Sequence, residues 1–319
     1  MSTLNDKQQF AQVIQGIAPQ SKVRRTWPLQ GGISATMTAL EIEHPNGKIS
    51  KVIVRQPSAG TLQQTPQAAA NEFKLLEIMR LLGLATPVPF YLDPSGAIFA
   101  TPYLVIEYIE GKPEFAPVNV TDYTCQLATH LAKIHQVDGA QPELAFLPQQ
   151  GKDFVETSDR LSTAADQALA VDYIRAILRA HWPTTHWNAP ALLHGDFWPG
   201  NVLWQDEQLV AVIDWEDAKV GEPLTDFAIS RLDILCLLGV DAMQAFSQHY
   251  QSLLPIDTTN LPYWDLCAAL RLVRMADANF ADWAAFFPPF GRADITEQSL
   301  RTHYQFFITQ AFAKLALPL

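Results

Sequence analysis

The chain has little cysteine, little positive charge and no long apolar run. Its three cysteines, Cys125, Cys236 and Cys267, are odd in number, far apart and without C-x-x-C spacing. That pattern argues against a disulfide framework or a thiolate zinc site and predicts a reducing, cytoplasmic setting. Lys and Arg number 22 against 33 Asp and Glu, a formal net charge of -11. Nonspecific nucleic-acid binding needs clustered cations facing phosphates, so no nucleic-acid partner is expected. No apolar stretch approaches the ~20 residues of a membrane span. The polar start Met1-Ser2-Thr3-Leu4-Asn5-Asp6-Lys7 lacks the basic and apolar regions of a signal peptide. No membrane partner is expected either, and the oligomeric state is left open.

What is present is the material of an ordinary globular chain: 319 residues, 48% hydrophobic and 17% charged. That length buries enough surface to need neither disulfide nor structural metal, as one large domain or two lobes. Residues 4–18 carry apolar positions at helical spacing. Val23–Pro28, Ile33–Ile42 and Ile49–Arg55 alternate as strands, punctuated by Gly31-Gly32 and Pro45-Asn46-Gly47. A helix is predicted over about 66–82, then strands at Pro87–Tyr91, Ile98–Ala100 and Pro102–Tyr108. Beyond Pro117 the pattern turns helical, at Tyr123–His135, Leu161–His181, Thr225–Leu238, Ala242–Leu254, Leu261–Phe287 and Ile295–Ala313.

Only around 191–214 do short strands interrupt that helical half, and they carry the most informative stretch. Leu192-Leu193-His194-Gly195-Asp196-Phe197-Trp198-Pro199-Gly200-Asn201-Val202-Leu203 is followed by Ala211-Val212-Ile213-Asp214-Trp215-Glu216. Carboxylates set among Leu, Val and Ile are partly desolvated and need a cation or donors to compensate them. Phosphoryl transfer has to orient a hydroxyl, hold Mg²⁺ against nucleotide phosphates and neutralise charge. Asp196 suits the first task, Asn201 and Asp214 the second. His194 follows an apolar strand and reads as a scaffold residue of the loop rather than a base.

The first half offers matching pieces, each with a plainer alternative. Gly31, Gly32 and Ser34 lie in a turn whose backbone can approach a ligand, or form an ordinary hairpin. Arg55 ends an alternating strand and Glu72 lies on the following helix; paired, they would brace nucleotide phosphates, and unpaired they are separate exposed charges. The carbonyl of Glu107 and the amide of Ile109 stand at a strand end before Glu110-Gly111-Lys112-Pro113, where an adenine can hydrogen-bond at a hinge.

Taken in order, H-G-D-x-x-P-G-N, I-D-W-E and Gly221-x-Pro223-x-x-Asp226 resemble the aminoglycoside phosphotransferase and choline kinase branch of the protein-kinase-like fold. The resemblance implies an α+β, two-lobed fold: an N-terminal antiparallel sheet with a helix over 1–109, and a larger, mainly helical lobe over 110–319. It implies ATP or GTP with Mg²⁺, Asp196 acting on a substrate hydroxyl, and Asn201 and Asp214 binding metal. Gly31, Gly32 and Ser34 become the nucleotide loop, Arg55 and Glu72 the phosphate brace, and Glu107 to Ile109 the hinge. Asp226 becomes an anchor of the catalytic loop, although Thr225 or Asp226 as a plain helix cap fits the sequence equally. Arg55 departs from the lysine common in the antibiotic kinases, which weakens any resistance role. No D-F-G triplet occurs, and the interval from Asp214 to Pro223 is too short for a protein kinase's activation segment.

The predicted activity is therefore Mg²⁺-dependent transfer of a nucleotide γ-phosphate to a small molecule's hydroxyl. The alternative is a catalytically silent nucleotide-binding regulator of the same fold. Asp233, Asp277, Asp282 and Trp283 are candidates to line a cleft favouring a cationic or amphipathic acceptor, while Trp283, Phe286 and Phe287 at helical spacing also read as core.

Overall fold

The computed structural model describes residues 4–29, 34–151, 169–182, 187–275 and 279–317. Gly31, Gly32 and Asp277 lie outside the described residues, as do 161–168 of the helix expected at Leu161–His181. Contacts divide the chain into two units, Met1–Glu110 with Ala211–Glu216, and Gly111–Val210 with Asp217–Leu319.

The first unit is built on five antiparallel strands, β1 (Lys22–Pro28), β2 (Ala35–Glu43), β3 (Ile49–Pro57), β4 (Pro89–Asp93) and β5 (Tyr103–Glu107), in the order β1-β2-β3-β5-β4. Period-2 alternation explains how they pack. Val52 and Val54 of β3 join Leu40, Ile42, Tyr103 and Val105 on one face, covered by Phe10, Val13 and Ile14 of helix α1 (Leu4–Ile17). Arg55, one residue out of phase, bonds to helix α3 (Ala68–Leu81), which follows the short α2 (Ala59–Gln64). The β2–β3 turn forms where Asn46-Gly47 predicts it: Gly47 has a φ of 79° and the Lys48 amide donates to Asn46 Oδ1 at 3.0 Å.

One expected strand is a turn instead. Ile98–Ala100 is nonhelical and unpaired with the sheet, because Gly96 and Ala100 both take positive φ and the Ala100 amide donates back to the Gly96 carbonyl at 2.9 Å. Ile98 and Phe99 are apolar because they pack on the α1 core from that turn.

The second unit is mainly helical: α4 (Val120–His135), α5 (Val171–His181), α6 (Leu224–Leu238), α7 (Val240–Leu253), α8 (Leu261–Met275), α9 (Phe280–Ala284) and α10 (Glu297–Lys314). Helix α6 is buried from Leu224 to Leu237 on every side, its polar Asp226, Ser230, Arg231 and Asp233 included. Helices α7, α8 and α10 pack against it. Helix α4 begins three residues before Tyr123 because Asn119 caps it, accepting from the Asp122 amide at 3.1 Å. The single helix expected over Leu261–Phe287 is two, α8 and α9. Strand β6 (Ala191–Leu193) pairs with β9 (Lys219–Gly221), and β7 (Val202–Gln205) with β8 (Gln208–Val212). Among the described residues no helix is long and apolar enough to cross a membrane.

Candidate active site

In the second unit the segment after β6 turns sharply at Gly195, whose φ is 86° and whose missing side chain leaves room for the Asp217 carbonyl. Any Cβ there would collide with backbone, so the turn requires glycine. Asp226, fully buried on α6, holds this turn from behind. Its carboxylate accepts from the His194 amide at 2.6 Å and the Gly195 amide at 3.1 Å, and lies 3.4 Å from His135 Nε2. Desolvation by burial pushes Asp226 upward, but the bond and charge of His135, with the charges of His194 and Lys219, hold it below the ordinary carboxylate value. The His194 ring is buried and its Nδ1 accepts from the Asp196 amide at 3.2 Å. Ser230 Oγ of α6 donates to the Phe197 carbonyl at 2.8 Å.

The loop so fixed presents Asp196 and Asn201 together. Asn201 Nδ2 donates to the Asp196 carbonyl and to Asp196 Oδ2, both at 3.0 Å. Its Oδ1 makes no hydrogen bond among the described residues, which leaves a hard oxygen donor pinned in place. Arg271 of α8 donates from Nη2 to Asp196 Oδ1 at 2.5 Å. Asp196 still keeps lone pairs for a hydroxyl, since a carboxylate accepts about four bonds. Asp233, on α6, is 7% exposed, and its carboxyl makes no hydrogen bond among the described residues. Burial pushes its carboxyl up to about 7, against the pull of Arg271 and with the repulsion of Asp196.

In the first unit Arg55 is buried and reaches three carboxylates: Glu72 at 2.9 Å, Glu216 at 2.9 Å and Asp214 at 3.3 Å. Desolvation opposes the charge of Arg55, and the three carboxylates more than offset it, so its pKa is raised. Burial raises Glu72, again opposed by Arg55. Ser34 Oγ donates to Glu216. Among the described residues the three carboxylates outnumber this one guanidinium, and the side chains of Asp214 and Glu216 remain 31% and 32% exposed. Hard, partly open oxygen donors of this kind fit a divalent cation such as Mg²⁺. Among the described residues there is no cluster of three or more His, Cys, Asp or Glu arranged as a protein-only metal site.

Glu107 ends β5, where its amide donates to the Val88 carbonyl at 2.8 Å and its carboxylate accepts from the Val88 amide at 3.1 Å. The amide of Ile109 makes no hydrogen bond among the described residues. Trp283 is half-buried and packs edge-on against Phe287, which is fully buried, so this part of the aromatic group is core. Asp282 is exposed and accepts from Asn279 Nδ2 at 2.6 Å. Sequence reasoning missed Arg271 and gave Glu216 no role. Glu216 lay in view two residues after Asp214, whereas nothing local to Arg271 marks it.

The profile of the phosphotransferase enzyme family matches residues 27–256, well over half of the chain. The chain belongs to that family. It is 24% identical over 250 residues to mouse (Mus musculus) acyl-CoA dehydrogenase family member 10, covering 74% of this chain but 23% of that protein. The chain thus spans about a quarter of that relative's length. It is 25% identical over 223 residues to homoserine kinase of Methylocella silvestris, covering 66% of this chain and 68% of that one. Among solved structures it is similar to a spectinomycin phosphotransferase in complex with ADP and spectinomycin, with a TM-score of 0.60 and 15% identity over 97% of this chain and 98% of that one. The shared fold is a five-stranded antiparallel sheet followed by a mostly helical portion, as the α+β reading expects.

Proposed function

We propose that the protein is a small-molecule kinase that transfers the γ-phosphate of ATP or GTP to an acceptor hydroxyl. The observation that carries this reading is the Asp196–Asn201 pair, locked by backbone bonds to Asp226 and by Asn201 Nδ2. Residues 1–109 bind the nucleotide and residues 110–319 carry the catalytic loop and the acceptor site. Asp196 accepts the hydroxyl proton and aligns the oxygen for in-line attack. Asn201 Oδ1 and Asp214 would hold the metal, and Arg55, kept in place by Glu72, would brace the phosphates. Glu107 and Ile109 offer the adenine edge a carbonyl and an amide; Gly31, Gly32 and Ser34 cover the phosphates. Mg²⁺ held there would neutralise charge on the β- and γ-phosphates. Because the transition state is loose, positioning and charge neutralisation supply most of the rate. Family membership and the neighbour's ADP support nucleotide use, and the unpaired cysteines support a cytoplasmic setting.

The test is transfer of labelled phosphate from ATP and from GTP to a panel of hydroxyl compounds, for the wild type, Asp196→Ala and Asp214→Ala. Each substitution is expected to lower turnover by at least about a hundredfold, with Asp214→Ala no milder than Asp196→Ala. Unchanged turnover in both refutes the assignment. Nucleotide binding with no transfer to any acceptor favours the silent regulator.

A further inference from the structure

Arg271 holds the catalytic aspartate, yet most of its donor capacity is unspent. A guanidinium carries five N–H groups arranged in two bidentate edges, one formed by Nε with Nη2 and the other by Nη1 with Nη2. Arg271 gives a single bond, from Nη2 to Asp196 Oδ1. Whichever Nη2 hydrogen makes that bond, the other edge keeps both of its donors. Nε and Nη1 make no hydrogen bond among the described residues. The side chain is 15% exposed, so most of its charge is sheltered from screening beside Asp196.

A second observation points the same way. Asp233 is more than nine-tenths buried and unpartnered, and it senses the charges of both Arg271 and Asp196. Burying a lone carboxyl without a partner is costly, and the usual compensation is a ligand or a proton. With its pKa pushed up to about 7, Asp233 carries a proton for much of the time near neutrality and then donates rather than repels.

We propose that Arg271 recognises an oxyanion, a carboxylate or phosphate, on the acceptor whose hydroxyl faces Asp196, and that Asp233 completes this subsite. The inference rests on the assignment of Asp196 as the residue that receives the acceptor hydroxyl. It makes the acceptor an acid rather than the cation that the surplus of aspartates suggests from sequence. Arg271 lies beyond residue 256, where the part matched by the family profile ends.

The experiment uses the full chain with Mg²⁺ and ATP or GTP. Acceptors are ω-hydroxy acids of about three to six carbons, each beside its amide and the matching ω-amino alcohol, with glycerol 3-phosphate beside glycerol. The expected result is a kcat/KM at least about tenfold higher for an anionic acceptor than for its neutral partner, because an unpaired buried edge penalises the analogue that lacks the group. The acid and phosphate arms identify which oxyanion is read. Arg271→Gln should erase the preference mainly through KM, and Arg271→Lys should retain part of it by keeping charge without the fork. An equal fall on anionic and neutral acceptors with Arg271→Gln overturns the proposal and leaves Arg271 a positioning residue for Asp196. Transfer to neutral or cationic acceptors alone in the wild type overturns it too, with the kinase reading intact. No transfer to any compound, together with no Mg²⁺-dependent nucleotide hydrolysis, overturns the kinase reading itself.

Discussion

Asp226 and Asp233 sit two turns apart on α6, both buried, and their carboxyls shift in opposite directions. Partners decide the sign. Asp226 accepts two backbone amides and faces His135, so its charge is compensated and its pKa falls below the ordinary value. It contributes stability above the unfolded-state pKa, and that stability is lost as pH falls through the folded value. Asp233 is desolvated without a hydrogen bond, and its pKa rises to about 7. Its folded form keeps a proton that the unfolded chain has released, so stability falls as pH rises from about 4 to about 7 and then levels off. Asp233→Asn should therefore stabilise the protein by roughly 2–4 kcal/mol at about pH 8 and by much less near pH 4. Asp226→Asn should destabilise it near neutral pH and matter less in acid. Denaturant melts of both variants across that range read the two signs directly. An Asp233→Asn variant no more stable than wild type at about pH 8 contradicts the account.

Among elements, those decided by local pattern were legible and those decided by distant packing were not. Alternation in Ile49–Arg55 and the Asn46-Gly47 turn mark a hairpin within ten residues. The apolar side chains of Ile98–Ala100 predict a strand; the backbone is a turn in which Gly96 and Ala100 take positive φ. Helix α4 starts ahead of the apolar pattern because Asn119, its cap, stands outside that pattern. Least visible was what joins the central helices. Arg231 of α6 donates to both Asp265 oxygens of α8 at 3.2 Å and to Ser247 Oγ of α7 at 2.7 Å, all buried. Burial raises the Asp265 pKa, opposed by the charge and bonds of Arg231. Removing one partner strands a buried charge, whereas replacing both with apolar residues is often neutral or better. Asp265→Ala should cost about 3–5 kcal/mol, and Arg231→Met with Asp265→Leu should recover most of it. Urea unfolding of the single and double variants decides, and an additive loss in the double variant contradicts the buried-pair argument.

At the scale of the whole molecule, the proposed catalytic loop stands out in the sequence because its parts are close in the chain. Asp196, Asn201 and Asp214 fall within one short motif set, and Asp226 follows soon after. Arg271 is 75 residues from the carboxylate it binds, and no local pattern distinguishes it from any other helical arginine. The residues proposed for the reaction thus lie close in the chain, whereas Arg271, proposed to read the acceptor, reaches Asp196 through the packing of α6 and α8. The first unit has its own test, because the cluster of Arg55, Glu72, Asp214 and Glu216 carries more negative than positive charge. A ligand that binds only the folded state adds about 2.7 kcal/mol at a hundred times its Kd. In a chain of this size that raises Tm by a few degrees. ADP with Mg²⁺ should give such a shift, and ADP with a chelator a smaller one. Asp214→Asn should remove the Mg²⁺-dependent share while leaving the metal-free shift, since it deletes a hard oxygen anion without disturbing the Arg55–Glu72 pair at 2.9 Å. Equal shifts for the wild type with and without Mg²⁺ would refute a metal at Asp214, because the excess charge of the cluster would then have found no cation.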